Sequence, residues 1–103
     1  MSQQDSEFVL TGHPCGSFGS GPYASAAIGN DRTSCPFAMN VRLEYVRAGG
    51  NGSTATLRVD SPTTTKYYSM TCSGDQPVYC RGGDDALVYL YGGNRQVLLR
   101  SWP

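Results

Sequence analysis

The sequence predicts a mostly β domain of the α+β kind: a four- to five-stranded antiparallel meander with one short helix, held by two disulfides. Three observations predict it. From residue 53 onward, short alternating apolar stretches are separated by turns containing Gly, Pro and Asp, as a sheet built from hairpins requires. The composition agrees, with 13 glycines, 6 prolines and 7 tyrosines among 103 residues. Such a mixture suits short strands and tight turns and does not suit a helical bundle. The third observation is the four cysteines, at positions 15, 35, 72 and 80.

Along the chain, "FVL" (8–10) is a brief apolar run and reads as a first strand. The stretch "GHPCGSFGSGPY" (12–23), rich in Gly and Pro, reads as a loop tethered by Cys15. Within it "GSGPYA" (19–24) matches the loose GxGxxA form of a dinucleotide fingerprint. That fingerprint needs a following helix, and "SAAIGNDRTSCP" breaks one almost at once, so the match carries no chemistry. A helix is expected over about 34–47. Thr33 or Ser34 caps it, Pro36 is tolerated in its first turn, and Gly49 or Gly50 ends it. Phe37, Val41 and Tyr45 then share one face with Ala38. A strand reading competes over the same residues, because Val41, Leu43 and Tyr45 alternate with polar neighbours.

The meander follows in five candidate strands: "STATLRV" (53–59), "KYYSMTC" (66–72), "VYC" (78–80), "ALVYLY" (86–91) and "QVLLRSW" (96–102). The turns between them are "DSPTT", "SGDQP", "RGGDD" and "GGNR". Both faces of "ALVYLY" are apolar, as expected of a central strand. At this length a single domain spans 1–103, with a core that buries roughly 65% of the surface an unfolded chain exposes. The ends, 1–12 and 96–103, are expected to be extended segments available to a partner.

Structural zinc sites draw their ligands in close pairs such as CxxC, and no such pair exists here. The lone His13 does not complete a Cys2His2 set. Neither a metal nor a cofactor is expected. Two disulfides are, out of the three connectivities four cysteines allow. Cys72–Cys80 and Cys15–Cys35 are favoured because each closes a short, local loop, the first across the arms of a hairpin turning at "SGDQP" (73–77). Disulfides of this kind persist outside the reducing cytosol.

Eight Lys and Arg residues face eight Asp and Glu residues. There is no basic footprint for nucleic acid and no polybasic patch for anionic lipid. No apolar run approaches the ~20 residues that cross a membrane as a helix. All the basic residues but Lys66 are Arg, which suits recognition of carboxylates or phosphates but reads first as codon usage in a GC-rich genome. The start "MSQQDSEFVL" lacks the basic end and apolar segment of a signal peptide. Two expectations follow: an export signal was removed, or the protein leaves its cell by another route.

Catalysis is not expected. A Ser–His–Asp arrangement would have to use His13, beside Pro14 and Cys15, and no GxSxG elbow exists. Asp75, Asp84 and Asp85 on adjacent turns are a conceivable weak Ca²⁺ set, but "RGGDD" reads first as turn chemistry. The "NGS" at 51–53 is a glycosylation sequon in form and a flexible turn in a bacterial setting. The candidate binding residues are Tyr67, Tyr68, Tyr79, Tyr89 and Tyr91, which fall on three adjacent expected strands, together with Trp102 near the end of the chain. Exposed tyrosine faces serve protein or carbohydrate recognition, while Tyr is also a good strand residue for packing alone.

The segments "TSCPFAMNV" (33–41), "DSPTTTKYYSMTC" (60–72) and "VYCRGGDDALVYLY" (78–91) together resemble a group of small exported actinobacterial domains. In those domains a Thr-Ser-Cys-Pro-Phe-Ala segment precedes a Ser-Pro turn, a strand ending Met-x-Cys and a Cys-x-Gly-Gly-x-x-Ala-Val-Val-Tyr stretch. The resemblance covers roughly residues 33–91. It implies extracytoplasmic placement and the four-cysteine framework, and it carries no catalytic residues. A version borne by an actinobacteriophage fits a chain that starts without a signal peptide, and so does a trimmed secreted domain.

The expected function is a non-catalytic structural or recognition module on an extracellular surface, a cell envelope or a virion, for example a capsid- or tail-decorating protein. Its partners would be a protein or glycan on that surface, a larger assembly or a second copy of itself. The alternative is a small secreted inhibitor working through the loops at 73–77 and 81–85, or a small secreted hydrolase.

Overall fold

The computed structural model describes residues 7–17, 21, 23–62, 64–74, 77–83, 85–92 and 96–100. Strands β1 (Glu7–Thr11), β2 (His13–Ser17) and β3 (Ser25–Ile28) precede the helix α1 (Cys35–Arg47). Strands β4 (Ala55–Asp60), β5 (Tyr67–Ser73), β6 (Val78–Gly82), β7 (Ala86–Tyr91) and β8 (Gln96–Arg100) follow it. Six strands form one antiparallel sheet in the order β2-β3-β7-β6-β5-β4, and β1 pairs with β8 in a separate parallel ribbon. The chain is mostly β with one helix and two disulfides, as its sequence predicts.

The helix forms where its end signals stand. Ser34, in extended backbone, accepts a hydrogen bond at its Oγ from the Phe37 N–H at 3.3 Å, and Pro36 takes a first-turn position that needs no N–H. Gly49, at φ +76°, supplies the left-handed stop and donates its N–H to the Val46 carbonyl. Phe37, Ala38, Val41 and Tyr45 are buried, whereas Leu43 is 42% exposed. A strand would have buried Leu43 with Val41 and Tyr45, so the helical period wins. Tyr45 is fully buried, edge-on to Tyr23 at 5.1 Å, and its hydroxyl accepts from the Gly52 N–H at 2.9 Å.

The meander of β4 to β7 has neighbouring strands in sequence order, and β7 is central, between β6 and β3. Three differences from the sequence reading have physical reasons. The stretch 12–23 is not all loop, because β2 runs through Pro14 and Gly16. It is an edge strand with a register shift between those two residues, and an edge tolerates a residue with no N–H to give. The "SAAI" of β3 has poor intrinsic strand propensity, yet Ala26 and Ala27 are fully buried between their neighbours. Tertiary packing overrides propensity there. Finally, β8 does not extend the meander. The free side of β7 is taken by β3, so β8 pairs with β1, and the antiparallel sheet has six strands instead of four or five. The segments 7–11 and 96–100, within the ends expected to be extended, thus pair with each other.

Nearly all the core lies on the helix side of the sheet. Leu57, Val59, Met70, Val78, Val88 and Leu90 are buried there under Phe37, Val41 and Tyr45. Cys72 and Cys80 are a registered cross-strand pair, with Cα atoms 4.0 Å apart, and their disulfide is fully buried. The Cys15–Cys35 disulfide ties the edge strand β2 to the first residue of the helix. No cysteine is free.

Loop-closure entropy assigns roughly 2.5 kcal/mol to the shorter cross-link and about 3.3 kcal/mol to the longer one. Against a stability of about 5–15 kcal/mol for a small domain, neither is minor. Paired replacement of Cys72 and Cys80 by Ala, and separately of Cys15 and Cys35, is expected to lower the urea-unfolding free energy by about 2–4 kcal/mol each. An unchanged unfolding midpoint in either paired variant would contradict this assignment.

Candidate functional site

Strand alternation gives the sheet two faces with different chemistry. Ala55, Leu57 and Val59 of β4 share the helix side with Tyr68, Met70 and Cys72 of β5, while Arg58, Tyr67, Ser69 and Thr71 point the other way. On β6 the outward residues are Tyr79 and Arg81, and on β7 they are Leu87, Tyr89 and Tyr91. The face away from the helix therefore collects Tyr67, Tyr79, Tyr89 and Tyr91. Tyr68 belongs to the opposite face, edge-on to Phe37 at 5.7 Å. Its place has a sequence signal, because it shares parity with Met70 and Cys72, the apolar positions of its strand. Trp102 lies outside the described residues.

The outward tyrosines are not equivalent. Tyr67 is 61% exposed, and the Arg58 guanidinium lies 4.5 Å from its ring centre. Tyr79 is half-buried, with the Arg81 guanidinium 5.8 Å from its ring centre. Across the β6–β7 register its ring meets Tyr89 edge-on at 5.6 Å. Tyr89 is only 6% exposed, because the chain at Thr11 and Gly12 covers it. Its hydroxyl donates to the Thr11 carbonyl at 3.0 Å, which anchors the end of β1 over the sheet. Tyr91, half-buried, pairs in register with Ser25 of β3. Guanidinium over phenol is worth about 0.5–1 kcal/mol at an exposed site, enough to hold two flat amphipathic plates in place. Arg58 and Arg81, which the sequence reading did not single out, complete this surface. Their parity with Thr56 and Tyr79 is the signal that finds them.

The other candidates fall elsewhere. His13 opens β2 in register with Ile28, on an edge strand. Asp75 and Asp84 lie outside the described residues, and the Asp85 carboxylate faces Arg32 at 3.5 Å. Among the described residues no three His, Cys, Asp or Glu side chains are grouped to hold a metal ion. The GxGxxA match leads into the strand β3, not the helix that a dinucleotide loop opens. No helix of the described residues is long and apolar enough to cross a membrane. The arrangement offers flat, rigid aromatic area with polar tips and two forks of donors.

Comparison with protein-family models, with curated proteins and with solved structures finds no match to this chain.

Burial raises the Tyr89 phenol above its ordinary value, and the neighbouring Tyr79 adds to this while Arg81 opposes it. Burial also raises Tyr91. A raised phenol binds its proton more tightly in the folded protein than in the unfolded one. Its contribution to stability is complete below the unfolded value of about 10 and is lost as pH rises through the folded value. Absorbance at the phenolate band, compared with Tyr89→Phe and Tyr91→Phe, is expected to show both of these tyrosines titrating later than a free phenol. Unfolding free energy is expected to fall above pH ~10, less steeply in Tyr89→Phe. Uniform titration of all seven tyrosines in the native protein would contradict the burial of this pair.

Proposed function

We propose that this chain is a non-catalytic recognition module of an extracellular surface, a cell envelope or a bacteriophage virion. It docks on a protein of that surface through the face of its sheet that the helix leaves uncovered. The observation that carries this reading is the gathering of Tyr67, Tyr79 and Tyr91 with Arg58 and Arg81 on that face. Tyr and Arg are the residue types that dominate binding energy at protein interfaces, because each combines large area with polar reach. Both are held here by a sheet and need little ordering on binding, which keeps the entropic cost of association low. The described charges of the face are Arg58, Arg81 and Asp60, one positive in excess, so a partner rich in carboxylates and carbonyls complements it. The two disulfides fit a protein that works outside a reducing cytosol. The resemblance to small exported actinobacterial domains points the same way. A capsid- or tail-decorating role suits a small, stapled module with one adhesive face.

Mass spectrometry of washed envelopes, culture filtrate and purified virions from the source is expected to place the protein in one of these fractions. Absence from all three would overturn the reading. Purified protein is expected to rebind the fraction that contains it. Combined Tyr67→Ser and Arg81→Ser replacement is expected to weaken that binding at least about tenfold, two exposed hot-spot side chains being removed. The melting temperature should hardly move. Undiminished binding by the variant would take the docking surface away from this face.

A further inference from the structure

Between the start of α1 and the residues Ser61, Thr64 and Ala86 lies a cavity of about 300 Å³. Ligand pockets run from roughly 300 to 1,000 Å³, so this one has room for a single small ring. Its apolar wall is Phe37, buried, with the half-buried Tyr68 set edge-on to it. Gly83, at φ +56°, backs the Tyr68 ring so closely that a Cβ there would stand 2.9 Å from it. The polar lining is mainly hydroxyl: Ser61, Thr64 and Tyr68, with the Thr64 Oγ1 and the Tyr68 hydroxyl 3.2 Å apart. Asp31 and Arg32 stand at the rim.

Charge and shape together select the ligand. A helix N-terminus beside an arginine suggests an anion at first sight. However, Arg32 is already paired with Asp85 at 3.5 Å, and Asp31 beside it balances its charge, so the described rim carries no net positive charge. An anion is disfavoured there. What fits is a neutral ring with one apolar face for Tyr68 and several hydroxyls for the polar wall, since each protein hydroxyl both donates and accepts. The two turns beside the cavity also hold the only described non-glycine residues with left-handed backbone, Thr65 at φ +58° and Asp85 at φ +64°. A β-branched residue in that region is strained, and such strain collects at binding sites, where the surroundings hold it. Here Thr65 is held by its N–H to the Ser61 carbonyl at 2.8 Å, and the Asp85 carbonyl accepts from the Asn30 side chain at 2.7 Å.

We infer that this cavity binds a single neutral pyranose unit of a glycan, stacked on Tyr68 and hydrogen-bonded to Thr64, Ser61 and the Asp31–Arg32 rim. The site lies on the helix side of the sheet and is separate from the tyrosine–arginine face, so either can fail without the other.

Saturation-transfer NMR of the intact protein with methyl glycosides of neutral hexoses and N-acetylhexosamines tests it. Glucuronate serves as a comparison probe in the same experiment, and inorganic phosphate, which has no carbon-bound proton, is followed by its ³¹P line broadening. At ~10 mM sugar, above the ~1 mM Kd expected of a single ring held by few contacts, at least one neutral glycoside is expected to bind through its C–H face. Tyr68→Ala is expected to weaken binding at least about tenfold, the loss of a stacking partner. Thr64→Val, on an exposed turn where folding is not at stake, is expected to weaken it about threefold to tenfold. Binding of none of the neutral glycosides, binding of phosphate or glucuronate alone, or indifference to both substitutions would each overturn the inference.

Discussion

A single 13-residue helix has to cover the apolar side of six strands. The rest of the structure depends on how it is held there. One end is fixed covalently by Cys15–Cys35, which joins it to the far edge of the sheet. The other end is fixed by Tyr45, whose ring is fully buried and whose hydroxyl takes the Gly52 N–H as the chain leaves for β4. Between these anchors Phe37 and Val41 reach the strands, and the Cys72–Cys80 pair occupies the core where a larger domain would place a bigger apolar side chain. A chain this short has little core to spare, and covalent closure substitutes for buried area.

Among the described residues there is one helix, and no second helix covers the other face of the sheet. A sheet surface in contact with water must be built from residues that tolerate both strand geometry and solvent, and Tyr, Thr and Arg do so. The end of β1, reaching over Tyr89, covers only part of it. What remains is a plate of paired guanidinium and phenol groups, rigid because strand pairing sets the spacing between them. The same economy shapes the helix side, where the turns joining β4 to β5 and β6 to β7 leave a small hydroxyl-lined hollow next to the helix start.

Much of this was legible in the sequence, where local chemistry decides. Ser34, Pro36 and Gly49 mark the helix, and the alternation of Leu57 and Val59 with Arg58 marks β4. The spacing of Cys72 and Cys80 across a turn gives their pairing. What was hidden lies where distant contacts decide. The alanines of β3 carry no strand signal, and only the neighbouring strands make Ala26 and Ala27 core residues. Pro14 and Gly16 argue against a strand unless the strand is known to be an edge. The parallel pairing of β1 with β8 joins the two ends of the chain, which no local pattern encodes. In the candidate sites, the tyrosines were visible as a group but their division was not. Tyr67 and Tyr68 are neighbours in sequence and face opposite sides, and the cavity beside Tyr68 depends on two turns far apart in the chain.

The helix takes one face of the sheet and leaves Tyr67, Arg58 and Arg81 on the other open to solvent. Nitration of the native protein by tetranitromethane, followed residue by residue with peptide mass spectrometry, tests it most directly. Tyr67 should react first and Tyr79 and Tyr91 more slowly, while Tyr45 and Tyr89 stay protected until the protein unfolds. Early modification of Tyr45, or protection of Tyr67, would mean that the faces are assigned the wrong way round, and early modification of Tyr89 would mean that the end of β1 does not cover it.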